Sequence, residues 1–240
     1  MTNTPPHAPL PAYSVRESSR AKRVTLRVSP RSGVEVVVPK GFDRDRVPSI
    51  VADRKEWLHR QIQRLSEGGW SSEPPLMPGE LNLQTLDRVL RIDIAHNPRK
   101  APALTQSGPD SLLLTGDSSD QSACRKCILT WLKQQARLHL VPWLRELSEE
   151  IHLPFERARV RAQKSRWGSC SARGTISLNC KLLFLPRPLT RHVLLHELAH
   201  IKQLNHSAEF WALLHSLDHH GATHDHELSG AWKHVPRWLG

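Results

Sequence analysis

The sequence predicts an α+β protein: a small N-terminal β-rich unit with one amphipathic helix, then a second unit holding an H-E-x-x-H helix and a short antiparallel sheet. Three observations lead there. Val24, Leu26 and Val28 alternate with Thr25, Arg27 and Ser29, the period of a half-buried strand. Val47, Ile50, Val51, Trp57, Leu58, Ile62 and Leu65 recur at three- and four-residue steps, the period of an amphipathic helix. Further on, helical patterns return from Cys124 to Ile151, Thr190 to Leu204 and Ser207 to about Leu217, with short strand-like runs between the first two.

Taken in order, residues 1–12 form a Pro-rich tail without the apolar run of a secretory signal. Residues 13–117 make the β-rich unit. There Ser29-Pro30-Arg31-Ser32-Gly33 is turn chemistry, and Val34 to Val38 is the returning strand of a hairpin. The helix over Asp43 to Leu65 is broken by Gly68-Gly69 and the run from Ser71 to Gly79. Leu81 to Ile94 and Leu112 to Leu114 read as further strands, separated by a polar loop from Asn97 to Asp110. Residues 118–240 make the second unit. Its first helix carries Ile128, Trp131, Leu132, Leu138, Val141, Leu144 and Leu147 on one face, and Pro142 is expected to kink or split it. Arg157 to Gln163 and Thr175 to Leu178 read as strands, and everything beyond His219 reads as mostly irregular.

Composition narrows the function. The net charge of +11 over 240 residues favours anionic neighbours, and the basic residues are spread widely: Arg16, Arg20, Lys22 and Arg23, then Arg157, Arg159, Arg161, Lys164 and Arg166. A DNA contact through this basic surface is one expectation; a merely solvated basic face is the other. No stretch approaches the ~20 apolar residues that span a bilayer, so no membrane partner is expected. Cys124, Cys127, Cys170 and Cys180, with no export signal, read as reduced thiols, which points to a cytoplasmic setting.

The chemistry is concentrated in His196-Glu197-Leu198-Ala199-His200. Positions i and i+4 share one helix face, so His196 and His200 can aim both imidazoles at one ion. Glu197 then projects beside that ion, where it can take a proton from the attacking water. A hydrolytic zinc needs three protein ligands and one open position, and His206 is the best third candidate. Asn205 suits a helix break, Ser207 reads as the next N-cap, and a reversal after Leu204 would carry His206 back. Upstream, Lys164 to Ser171 precedes the strand Gly174 to Asn179. An edge strand there can pair with an extended peptide, which makes Trp167, Gly168, Ser169, Ile176 and Asn179 candidate substrate residues. Trp167 as core and Gly168 as a plain turn is the competing account.

Arg166-Trp167-Gly168-Ser169-Cys170, Ile176-Ser177-Leu178-Asn179, Leu182, Pro186, His196-Glu197-Leu198-Ala199-His200 and Asn205-His206-Ser207 through Phe210-Trp211 together resemble the YgjP-like metallopeptidase family. The likeness covers roughly Tyr13 to Leu217 and is densest from Arg157 to Leu214. It implies a zincin-like catalytic unit, Zn²⁺ held by His196, His200 and His206, Glu197 as catalytic acid/base, and a protein or peptide substrate. The family is also similar to SprT-like and Wss-type proteases that act near DNA. That leaves two rivals: a DNA-associated protease, and a non-catalytic module whose zinc, closed by four protein ligands, supports nucleic-acid binding.

Lesser signals stay open. Cys124 and Cys127 fall within a helical pattern and have no second C-x-x-C, which favours structural thiols over a metal or redox pair. His215, His219, His220, His224, His226 and His234 crowd the C-terminus, where they read mostly as solvated loop residues, with a second ion or donation to the oxyanion as the sharper alternatives. Asp218 or Asp225 is expected to orient a zinc-bound imidazole. Arg161, Lys164 and Arg166 are candidate oxyanion donors.

Overall fold

A computed structural model describes residues 10–29, 33–67 and 77–239. These fall into two compact units, one within Met1–Leu76 and one spanning Met77–Leu239.

In the first unit β1 (Tyr13–Ser18), β2 (Thr25–Ser29) and β3 (Gly33–Pro39) form a sheet in the order β1-β3-β2. The expected hairpin is there: Leu26 faces Val36 and Val28 faces Val34 in antiparallel register. Strand β1 joins the other side of β3 in parallel. Alternation on β3 turns Val34, Val36 and Val38 into a core against Val47, Val51 and Leu58. The helical stretch is two helices, α1 (Val47–Asp53) and α2 (Lys55–Glu67), divided at Arg54, which leaves the helical region at φ −109°, ψ 11°. The breaker run expected at Gly68-Gly69 and Ser71 onwards lies largely outside the described residues.

The second unit opens with β4 (Glu80–Leu83), β5 (Arg88–His96), β6 (Ala103–Gly108) and β7 (Ser111–Gly116), ordered β4-β5-β7-β6. Strand β6 occupies the stretch expected to be loop. It pairs antiparallel with β7 through a bulge at Gln106/Gly108 and is mostly exposed, so it carries no apolar alternation to announce it. Helix α3 (Gln121–Glu150) follows, N-capped by the Asp120 carboxylate accepting from Ala123 N. Pro142 does not split it. The carbonyl left without a helical donor belongs to Leu138, which is exposed, so water can satisfy it.

Next come β8 (Arg157–Arg161), β9 (Gly168–Cys170) and β10 (Thr175–Asn179), ordered β8-β10-β9. The β9–β10 pair is antiparallel as expected, and β8 runs parallel to β10 on its other side. Three helices complete the unit: α4 (Arg187–Lys202), α5 (Ala208–Leu217) and α6 (Gly221–Gly230). The segment beyond His219, expected to be irregular, is α6 followed by short 3₁₀ turns over Ala231–His234 and Arg237–Leu239.

One core joins Leu81, Leu90 and Leu112 of the four-stranded sheet to Ile128, Leu140, Leu178, Leu194 and Phe210. The boundary expected at 117/118 therefore lies inside this unit. A buried polar knot reinforces the junction. Thr85 Oγ1 lies 2.7 Å from Leu182 O, 2.9 Å from Leu185 O and 2.7 Å from Thr190 Oγ1, tying the β4–β5 connection to the first turn of α4. No helix among the described residues is long and apolar enough to cross a membrane.

Candidate metal centre

Helix α4 carries H-E-x-x-H through its last two turns, with Leu194, Leu195, Leu198 and Ala199 fully buried around it. The helix stops at Gln203, whose extended backbone (φ −130°, ψ 103°) turns the chain back. Ser207 then sits at the cap of α5, so His206 is presented from the short connection between two helices. The ring nitrogens of His196, His200 and His206 lie within 4.8 Å of one another. His196 Nε2 and His206 Nε2 are 3.1 Å apart. Phe210, fully buried on α5, packs 4.6–4.9 Å from all three rings, and Trp211 stacks on His206.

The electrostatics suit cation binding. Burial pushes His196 down to about 3, with the neighbouring His200 and His206 adding to the shift. Burial likewise lowers His200, against the 2.9 Å hydrogen bond between its Nδ1 and the Gln203 carbonyl. Imidazoles held neutral keep their lone pairs available to a metal. The Gln203 carbonyl, rather than a carboxylate, is what orients the His200 ring. Asp218 and Asp225, expected in that role, bond to His192 instead.

Glu197 is buried beside this trio. Its carboxyl is pushed up to about 8 by burial, with Arg166 opposing the shift. Its Oε2 finds no hydrogen-bond partner among the described residues. An orphaned buried carboxylate oxygen next to three converging imidazoles is the donor chemistry of a hydrolytic zinc-type site, and the residues present fit such an ion.

Strand β9 packs against α4 and explains Gly168. A Cβ at that position would lie 2.7 Å from Glu197 Cγ and Cδ, so only glycine lets the carboxylate lie against the strand. Trp167 is half-buried and stacks on Trp232 at 4.1 Å, a partner the sequence did not reveal. Ser169 pairs with Ser177 across β9–β10 and is half-buried. Ile176 and Asn179 are fully buried. Asn179 donates to the Gln163 and Arg166 carbonyls and accepts from Lys181 N, so its amide shapes the loop before β9 and leaves no free face for a substrate. All four cysteines are free. Cys124 is buried on α3, and the Cys127 thiol reaches the Pro102 carbonyl, which accounts for the C-x-x-C spacing as packing.

Comparison with known proteins follows this geometry. The model of the YgjP-like metallopeptidase domain matches residues 22–230. No curated protein matches the chain. Among solved structures the chain is similar to the crystal structure of the metallopeptidase zymogen of Pyrococcus abyssi abylysin. The two share 24% identity over 38% of this chain and 90% of that one, with a TM-score of 0.34.

Proposed function

The chain belongs to the YgjP-like metallopeptidase family, and on that premise we propose that it is a zinc peptidase whose ion is held by His196, His200 and His206, with Glu197 as general base. The observation that carries this reading is the unpartnered Glu197 Oε2 beside the three converging imidazoles. An ion held there supplies Lewis acidity to the scissile carbonyl and lowers the pKa of water. Glu197 Oε2 takes the proton of the attacking water and passes it to the leaving amine. Its burial suits the task, because a carboxyl pushed up towards 8 is a stronger base than an exposed one once ionised. Helix α4 and the 203–207 connection orient the imidazoles. The β9 edge offers main-chain groups to an extended peptide, with Gly168 keeping the backbone close to Glu197.

The test separates binding from chemistry. Glu197→Gln is expected to retain the metal and lose hydrolysis by 10²-fold or more, on the order of a general base's contribution. His200→Ala is expected to lose the metal. Metal analysis beside a peptidase assay reads both, and full activity in Glu197→Gln removes the assigned role.

A second reading concerns where the enzyme works. Arg157, Arg159 and Arg161 are exposed at alternate positions of β8, so they share one face of that strand. Such a row matches a polyanion, and it supports a protease that acts beside DNA.

A further inference from the structure

Four residues before His196, α4 carries another histidine with different company. His192 is completely buried. Its Nδ1 lies 2.6 Å from Asp218 Oδ2, and its Nε2 lies 3.0 Å from Asp225 Oδ1. The same Asp218 oxygen lies 2.7 Å from His224 Nδ1. The ligand atoms of His192, Asp218 and His224 lie within 4.8 Å of one another. Asp218 is itself buried at the α5–α6 corner, where its second oxygen accepts from His220 N. We propose that His192, Asp218 and His224 form a second site for a divalent transition-metal cation, distinct from the His196–His200–His206 set.

Three features argue for a cation. Two imidazole nitrogens and one carboxylate oxygen are the donor set preferred by zinc and its first-row neighbours. Asp225 sits on the far nitrogen of His192, where a metal-bound imidazole carries its orienting carboxylate. Charge balance is the third. Asp218 is buried against a ring with no exposure, with the partly exposed Asp225 on that ring's other side, and a buried carboxylate needs compensation. Among the described residues, Asp218 Oδ2 meets only hydrogen bonds to the two Nδ1 atoms. A divalent cation bound among the same three atoms would supply the positive charge directly.

The rearrangement required is small. Ligand atoms around a tetrahedral ion sit roughly 3.3 Å apart, so the Nδ1···Oδ2 separations of 2.6 and 2.7 Å must open by roughly 0.6–0.7 Å. His224 is half-buried on α6 and can supply that movement while leaving a flank for water as the fourth ligand. Once closed, the site ties α6 and the α5–α6 corner to α4, the helix that carries His196 and Glu197. Gly221 belongs to this clamp. A Cβ there would come 2.7 Å from Cδ2 of the exposed His215 and 3.7 Å, an ordinary contact, from His192 Cε1, so the start of α6 lies against the cluster.

The experiment uses the full chain, stripped with chelator and titrated with Zn²⁺ or Co²⁺, with bound metal measured after desalting. Wild type is expected to bind two equivalents. The double variant His196→Ala/His200→Ala is expected to keep one, to lose it when His224→Ala is added, and to show a metal-dependent rise in Tm. The exposed His226→Ala serves as a control and is expected to change nothing. A double variant that binds no metal, or whose equivalent survives His224→Ala, overturns the second site. Because that variant leaves the cluster untouched, failure here is distinguishable from failure of the peptidase reading, which rests on wild type and Glu197→Gln.

Discussion

At the scale of single residues, Glu197 and His196 are perturbed in opposite directions by the same cause. Burial disfavours charge, so it raises the carboxyl from 4.5 to about 8 and lowers the imidazole from 6.5 to about 3. The stability consequences for metal-free protein have opposite signs. Glu197, with its folded pKa raised, contributes stability that is complete below 4.5 and lost as pH rises through about 8. His196, with its folded pKa depressed, contributes stability present above 6.5 and lost as pH falls towards 3. Between pH 6.5 and about 8, then, thermal melts of metal-free wild type are expected to show falling Tm, and Glu197→Gln is expected to flatten that fall. Parallel slopes for the two proteins would remove burial of Glu197 as the cause. The pairing of His196 with His200 was legible in the sequence because i, i+4 spacing is a property of the helix itself. The contacts of His192 were not: its carboxylate partners lie 26 and 33 residues away in the chain.

At the scale of elements, strong periodicity was readable and weak periodicity was not. Val24, Leu26 and Val28 announced β2, and the apolar rows of α3 and α4 announced those helices. Strand β6 is mostly exposed, and α6, with the sequence GATHDHELSG, buries only Gly221, so neither had an apolar pattern to read. Pairing with β7 holds the first, and the corner around Asp218 and His192 holds the second. The Thr85 knot shows how one element positions another. Thr85→Val keeps the volume but takes the hydroxyl from the Leu185 carbonyl, while Leu182 O keeps Thr190 Oγ1 and Leu185 N, at a cost of about 1–3 kcal/mol. Denaturant unfolding is expected to show that loss, with bound metal per folded chain unchanged. A neutral substitution would mean the knot does not couple the four-stranded sheet to α4.

At the scale of the whole molecule, the net charge of +11 acts with β8's exposed arginine row on any polyanion nearby. Each phosphate neutralised releases counterions, so affinity for duplex DNA is expected to fall steeply and linearly on a log–log plot against salt, with a slope of about −0.9 per contact. Arg157, Arg159 and Arg161 replaced together by Ala are expected to shallow that slope. Binding that ignores salt, or a slope unmoved in the triple variant, separates the basic surface from DNA.

The sequence by itself determined the α+β class and the helix bearing His196, Glu197 and His200, and offered His206 as a third candidate, because short-range periodicity and the H-E-x-x-H spacing are local properties of the chain. Only the tertiary structure decided that the sheet from Glu80 to Gly116 shares a core with the H-E-x-x-H helix, that Gly168 lies against Glu197, and that Asp218 and Asp225 meet His192. Each of these depends on segments distant in sequence meeting in a packed interior, where burial and charge compensation select partners that no local pattern encodes.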